Sequence, residues 1–87
     1  MTESNERARK TVDVTVGESV RIVREFQELT QRELSRRARL SRSALSALEN
    51  DRAGLGVQRA KKLARALKVH PAVLIFPGWD VEEESVA

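Results

Sequence analysis

The sequence predicts a small all-α fold of five short helices, and three observations carry that expectation. Thr30 followed three residues later by Glu33 is a capping-box pattern, in which the hydroxyl accepts from the Glu33 amide while the carboxylate reaches back. Apolar residues recur at three- and four-residue spacing through the longer segments, the period of one helix face. Short connections separate those segments at Arg39-Leu40-Ser41, at the glycine-bearing stretch from Asp51 to Gly56, and at His70-Pro71.

Residues 1–10 are polar and charged without periodicity and read as a mobile arm. Residues 11–16 alternate β-branched and polar side chains, as extended backbone does. They are either an ordered lead-in or an arm that pairs with a second copy or a partner. The first helix is predicted over about residues 17–27, with Val16, Val20 and Val23 on its core side. Ile22 and Phe26 lie four apart on another face. Either they form an exposed apolar patch that pairs with something, or the C-terminal segment folds back over them.

A second helix is predicted over residues 31–38, with Arg36 and Arg37 outside, and a third over 42–49 with Ser41 as its N-cap. Leu34, Ala38, Leu45 and Leu48, with Leu40 between them, make one inner stripe, so the two helices meet at an angle over a shared core. The outward positions of the third helix, Arg42, Ser43, Ser46 and Ala47, are small or positively charged. Such a face can enter a groove. The fourth helix, residues 57–67, turns Leu63, Ala64 and Leu67 inward and leaves Arg59, Lys61, Lys62 and Arg65 outside, with Lys68 just beyond. His70 stands at the cap of a short fifth helix that opens on Pro71, and Pro77-Gly78 stops it. Phe76 and Trp79 flank that stop as an apolar corner. Trp79 either caps the core or joins Phe76 in a dimer or partner contact, where aromatic anchors concentrate binding energy.

At 87 residues the chain suits one domain with a single small core, burying about 60 to 65 per cent of the unfolded surface. It has no cysteine and only one histidine, so neither a thiolate nor a histidine metal cluster is expected, and no cofactor. No paired carboxylates and no nucleophile with a base are visible, so an enzyme is not expected. The loop from Asp51 to Gly56 lacks the GxxxxGK[ST] pattern of a phosphate-binding NTPase loop. No apolar run approaches the roughly 20 residues of a membrane span, and the N-terminus has no apolar signal core. A soluble, cytoplasmic protein is expected. The net charge of +3 is unevenly distributed: residues 17–78 carry 13 Lys and Arg against 6 Asp and Glu, whereas residues 79–87 carry Asp80, Glu82, Glu83 and Glu84 and no base. A basic core of this kind is the footprint of a polyanion binder, and equally of an ordinary solvated face.

The segments VGESVRIVRE, LTQRELSRRARLSRSALSALEN and LARALKVHPAVL together resemble the helix-turn-helix domain of the Cro and phage-repressor superfamily, also called the Xre type. About two thirds of the chain is covered. The resemblance implies a five-helix, lambda-repressor-like domain over residues 16–78, flanked by an N-terminal arm (1–15) and an acidic tail (79–87). It implies binding of double-stranded DNA as a homodimer, with the start of the third helix in the major groove. The base-contacting positions of the family map to Arg42, Ser43, Ser46 and Ala47, and its phosphate-contacting positions to Gln31, Ser41, Asn50 and Arg52. Arg42 is the strongest specificity residue, because arginine pairs bidentately with guanine for about 1 to 3 kcal/mol of discrimination. Gln31 adds the anion preference of a helix N-terminus. For each of these the plain alternative is a solvated side chain or a cap. Arg24 and Glu49 fall on positions that form a partly buried ion pair in some relatives, a structural role.

Three residues depart from the pattern. Ser35 replaces the usual alanine, small for small. Glu28 and Arg39 stand where the family prefers glycine, and a positive φ there costs a residue with a Cβ roughly 1 to 2 kcal/mol. The implied function is a transcriptional regulator, a repressor on an inverted-repeat operator. Two variants stay open. One is an antitoxin of the HigA-like kind, which neutralises a ribonuclease toxin and represses its own operon, with the acidic tail complementing a basic toxin surface. The other is a restriction-modification controller protein.

Overall fold

In the computed structural model residues 14–76 are described; the arm before Val14, and Pro77-Gly78, Trp79 and the acidic tail, lie outside the described residues. Five helices follow one another: α1 Val16–Phe26, α2 Gln31–Ala38, α3 Arg42–Glu49, α4 Val57–Leu67 and α5 Pro71–Ile75. The described residues contain no strand, and none of their helices is long and apolar enough to cross a membrane.

The alternating stretch that reads as extended ends one residue sooner than expected. Val16 is already helical, and Thr15 is the extended N-cap of α1. Thr15 and Glu18 make a capping box: the hydroxyl accepts from the Glu18 amide at 3.0 Å, and the Glu18 carboxylate accepts from the Thr15 amide at 3.1 Å. The Thr30–Glu33 box opens α2 in the same way, at 3.0 and 2.8 Å. At α5, the His70 ring accepts from the Ala72 amide through Nδ1 at 3.0 Å, ahead of Pro71 in the first turn.

Four helices end on a residue other than glycine in the left-handed region: Glu28, Arg39, Asp51 and Lys68, with φ between 58° and 60°. Each ending is closed by a long reach back from the following residue, with Leu29 donating to the Arg24 carbonyl, Leu40 to Ser35, Arg52 to Ala47 and Val69 to Ala64. That is the Schellman arrangement, which also places the following residue against the helix it has just left. Leu29, Leu40 and Val69 use it to pack on the core. The steric cost at Glu28, Arg39 and Lys68 is thus countered by a partly buried aliphatic side chain immediately after, which packs on the core.

The core is one cluster: Val20 from α1, Leu34 and Ala38 from α2, Leu45 and Leu48 from α3, Leu63, Ala64 and Leu67 from α4, and Leu74 from α5. Two polar devices then fix how α1 sits against α3. Gly17 lies so close to the end of α3 that a Cβ there would stand 2.3 Å from the Leu48 carbonyl oxygen. The Asp51 carboxylate, just past α3, accepts from the Gly17 amide at 3.0 Å and from the Thr15 hydroxyl at 2.7 Å. Asp51 therefore supplies acceptors to the first turn of α1 from a distant point in the chain, where a helix N-terminus has amides without intrahelical partners.

The second device is ionic. Arg24 Nε and Nη2 donate to the two Glu49 oxygens at 2.7 and 2.9 Å, and Nη1 donates to the Leu29 carbonyl at 2.8 Å. Both residues are buried, Arg24 at 8% and Glu49 at 3% exposure. The Glu49 hydrogen bonds hold the Arg24 guanidinium charged even more firmly than usual. Side-on pairing of this kind matches the planar fork of arginine to a carboxylate.

Candidate nucleic-acid interface

Helix α3 is built by the same forces. Leu45 and Leu48 draw one side of α3 into the core, and Ser41 closes its start by accepting from the Ala44 amide at 3.0 Å. What remains outside is narrow and polar. Arg42 and Ser43 are exposed, whereas Ser46 and Ala47 are half-buried. Of the four positions read as outward, the first two are fully exposed and the last two partly so: the rotation of α3 that buries Leu45 and Leu48 leaves its first turn proud and tucks its second partly in. Ser43 Oγ stands 3.3 Å from the Ser41 hydroxyl.

The residues expected to hold phosphates are not alike. Gln31 is half-buried, and its side-chain amide donates to Glu49 Oε1 at 3.0 Å. Its side chain is thus an additional donor to the Arg24–Glu49 pair, and the part of Gln31 turned outward is the N-terminus of α2, where first-turn amides favour an anion. Asn50 donates through Nδ2 to the Ser46 carbonyl at 2.8 Å and closes the end of α3. Ser41 and Arg52 are exposed. Arg52 follows the left-handed Asp51, so the turn that caps α3 also sets where this cation leaves the surface.

The charge of the region is one-sided. With Arg24 and Glu49 neutralising each other inside, the exposed cations Arg32, Arg36, Arg37, Arg39, Arg42 and Arg52 surround the two helices. Glu33, the exposed acid on α2, is held below the ordinary glutamate range, first by the Thr30 amide, then by the Thr30 hydroxyl, with Arg37 and Arg36 adding to the effect. No group of three His, Cys, Asp or Glu side chains among the described residues is placed to hold a metal ion.

A separate apolar area lies on α1 and α5. Ile22 is 50% exposed and Phe26 87%, and Val73 of α5 and Phe76 just after it are also exposed. The Ser19 hydroxyl donates to the Val73 carbonyl at 3.0 Å and ties α5 to α1. No described segment covers Phe26; the expectation that the C-terminal segment does so concerns residues outside those described, as does the role of Trp79.

Sequence reasoning overlooked Thr15, Gly17 and Asp51. The T-x-x-E pattern at Thr15 to Glu18 was available to find the first. Nothing local marks the other two, since their contacts span 34 residues of chain.

A family model described as helix-turn-helix matches residues 20–74. The chain is 31% identical over 71 residues to the immunity repressor protein of Bacillus phage phi105, which covers 82% of this chain but only 49% of that protein, so the chain spans about half the length of this relative. Among solved structures, the restriction-modification controller protein C.AhdI from Aeromonas hydrophila is similar at a TM-score of 0.68 and 29% identity, over 71% of this chain and 94% of that one. A hypothetical transcription factor, NHTF from Neisseria, is similar at a TM-score of 0.69 and 25% identity, over 91% and 88%. With its capped helix pair, its shared leucine core and this match over most of the described residues, the chain belongs to the helix-turn-helix family of the Cro and phage-repressor type.

Proposed function

We propose that this is a sequence-specific DNA-binding transcriptional regulator, a binding protein rather than an enzyme, which acts in the cytoplasm as a homodimer on an inverted-repeat operator. The observation that carries the proposal is the first turn of α3: Arg42 and Ser43 stand exposed on a helix whose other side is locked into the core, and whose last turn is tied by Glu49 to Gln31 at the start of α2. In this arrangement Arg42 reads a guanine edge in the major groove, while the amides at the start of α2, Ser41 and Arg52 take phosphates. The Arg24–Glu49–Gln31 network keeps α2 and α3 in register with α1, so that the face is presented rigidly.

The dimer has an apolar surface available in Ile22, Phe26 and Phe76, supported by the exposure of the first two. Two copies joined symmetrically would place recognition helices on half-sites about one turn of duplex, roughly 34 Å, apart. A toxin partner is the competing occupant of that surface; it would appear as a 1:1 complex when the chain is produced with the products of its neighbouring genes. The similarity to C.AhdI favours a restriction-modification controller as a specific form of the regulator.

Salt dependence tests the DNA reading. Each neutralised phosphate releases condensed counterions, so a protein with 6 to 10 phosphate contacts loses about 10³- to 10⁵-fold in affinity between 50 and 200 mM salt. A steep loss on the best duplex selected from a random pool is expected. Affinity that stays flat over that range on every selected duplex would overturn the proposal.

A further inference from the structure

We propose that the acidic segment at residues 80–84 of this chain docks in a basic groove between α2 and α4. The groove is a hollow of about 500 Å³ walled by Arg37 and Arg39 on one side and Lys62 and Arg65 on the other, over a floor of Ala38 and Ala66. All four cations are exposed, and both ion pairs among the described residues belong to Arg24, so no described carboxylate reaches this wall. Glu33, one turn before Arg37, acts on it only through space. Four like charges around one hollow repel one another and gather anions.

Two alanines on the floor let an extended backbone come close. The hollow is lined by the last turn of α2 and by α4, and no residue of α3 is among its walls. None of these four cations is needed for the phosphate contacts assigned above.

Charge and reach select the occupant. Residues 79–87 carry Asp80, Glu82, Glu83 and Glu84, four acids to set against four bases. The described chain reaches Phe76 directly after α5, and α5 packs against α4. From Phe76, the four to eight residues leading to positions 80–84 span at most about 13 to 29 Å. The 11 residues of α4 rise about 16 Å, so this reach is of the same order as the helix that forms one wall of the groove. Because the acids are on the same chain, their effective concentration at the groove is on the order of millimolar, an advantage no free acidic peptide has. The consequence is an internal counter-charge: with the segment docked, the positive field that α2 and α4 present to polyanions is partly cancelled.

The test uses the full chain and no DNA, so its outcome is independent of the DNA-binding proposal. The chain has no cysteine, so Val81→Cys carries a nitroxide at one defined place. In a ¹⁵N-labelled sample at low salt, the amide signals of Arg37, Arg39, Lys62 and Arg65 are expected to be lost selectively. They should return in 1 M salt, where the Debye length is about 3 Å, and in K62E/R65E, whose substituted side chains are exposed and leave the remaining spectrum in place. Four outcomes would overturn the proposal: no signal loss, loss spread evenly over the domain, loss centred on residues 42–46, or loss that appears only when the label is on a different copy from the ¹⁵N. Groove signals that ignore the label and shift only when a short duplex is added would assign the hollow to nucleic acid, and would equally overturn it.

Discussion

Removing one member of the Arg24–Glu49 pair should nearly unfold the domain, and removing both should not. Glu49 is 3% exposed and accepts from Arg24 twice and from Gln31 once, so Arg24→Met leaves a buried carboxylate with the Gln31 amide as its remaining side-chain donor. Loss of a single partner from a buried pair costs about 3 to 5 kcal/mol. A small domain has about 5 to 15 kcal/mol in all. The Arg24→Met chain is therefore expected to melt tens of degrees lower, at roughly 4 to 8 °C per kcal/mol for a domain of this size. Glu49→Leu should lose a comparable amount, because the guanidinium then keeps only the Leu29 carbonyl and the distant, solvent-facing Glu25 carboxylate at 3.8 Å. The double variant buries two apolar side chains in place of the ions and should recover most of the loss, giving a coupling energy of about 2 kcal/mol or more. Urea unfolding of the four chains measures it. Single variants that each lose under about 1 kcal/mol, or losses that simply add, would refute the claim that burial rather than charge counting sets the size of this interaction.

Three further perturbations test the packing and the helix ends. Gly17→Ala should cost about 1 to 3 kcal/mol by overpacking, since the new methyl would meet the Leu48 carbonyl, a backbone atom that cannot rotate away; thermal melting checks it, and an unchanged melting temperature would contradict the close approach. Glu28→Gly should gain about 0.5 to 1 kcal/mol, the relief of a positive φ of 59° less the extra freedom glycine has when unfolded, while Glu28→Ala should gain nothing. Thr30→Ala should lose about 1 kcal/mol at neutral pH as the cap disappears. The Thr30 amide, which alanine keeps, is the larger cause of the lowered folded-state pKa of Glu33; the hydroxyl, which the variant loses, adds to it, and that share of the stability is present above the ordinary glutamate range, near about 4.3, and fades as the pH falls through the lower folded value. Urea midpoints of parent and variant should therefore approach each other in acid, and a gap that widened there would have the wrong sign.

Much of the fold was legible because its signals are local. The boundaries of α2, α3 and α4 follow from Thr30 with Glu33, from Ser41, and from the leucine spacing, each of which acts within a few residues. The capping box at Thr15 was equally local, yet the β-branched alternation before it suggested extended backbone through Val16; a first-turn capping bond outweighed the alternation. Other features depend on residues far apart in the chain. Asp51 serves α1 only because α1 packs on α3, and no spacing rule links positions 34 residues apart. The Arg24–Glu49 pair was foreseen through a family resemblance, not through any pattern in the residues themselves. The helix rotation that half-buries Ser46 and Ala47 likewise follows from how deeply Leu45 and Leu48 sit, a tertiary outcome. Ile22 and Phe26 could be assigned to an unusual face, but the periodicity could not say what, if anything, covers it.

The central claim is that the exposed first turn of α3 reads bases, and Arg42→Ala tests it most directly. Arg42 is exposed, so the variant should fold and melt as the parent does. The measurement is binding of parent and variant to the selected duplex and to a random duplex of equal length at one salt concentration. A loss of about 1 to 3 kcal/mol on the selected duplex, with the random duplex nearly unaffected, is the predicted result. Equal losses on both would make Arg42 a phosphate contact and contradict the claim.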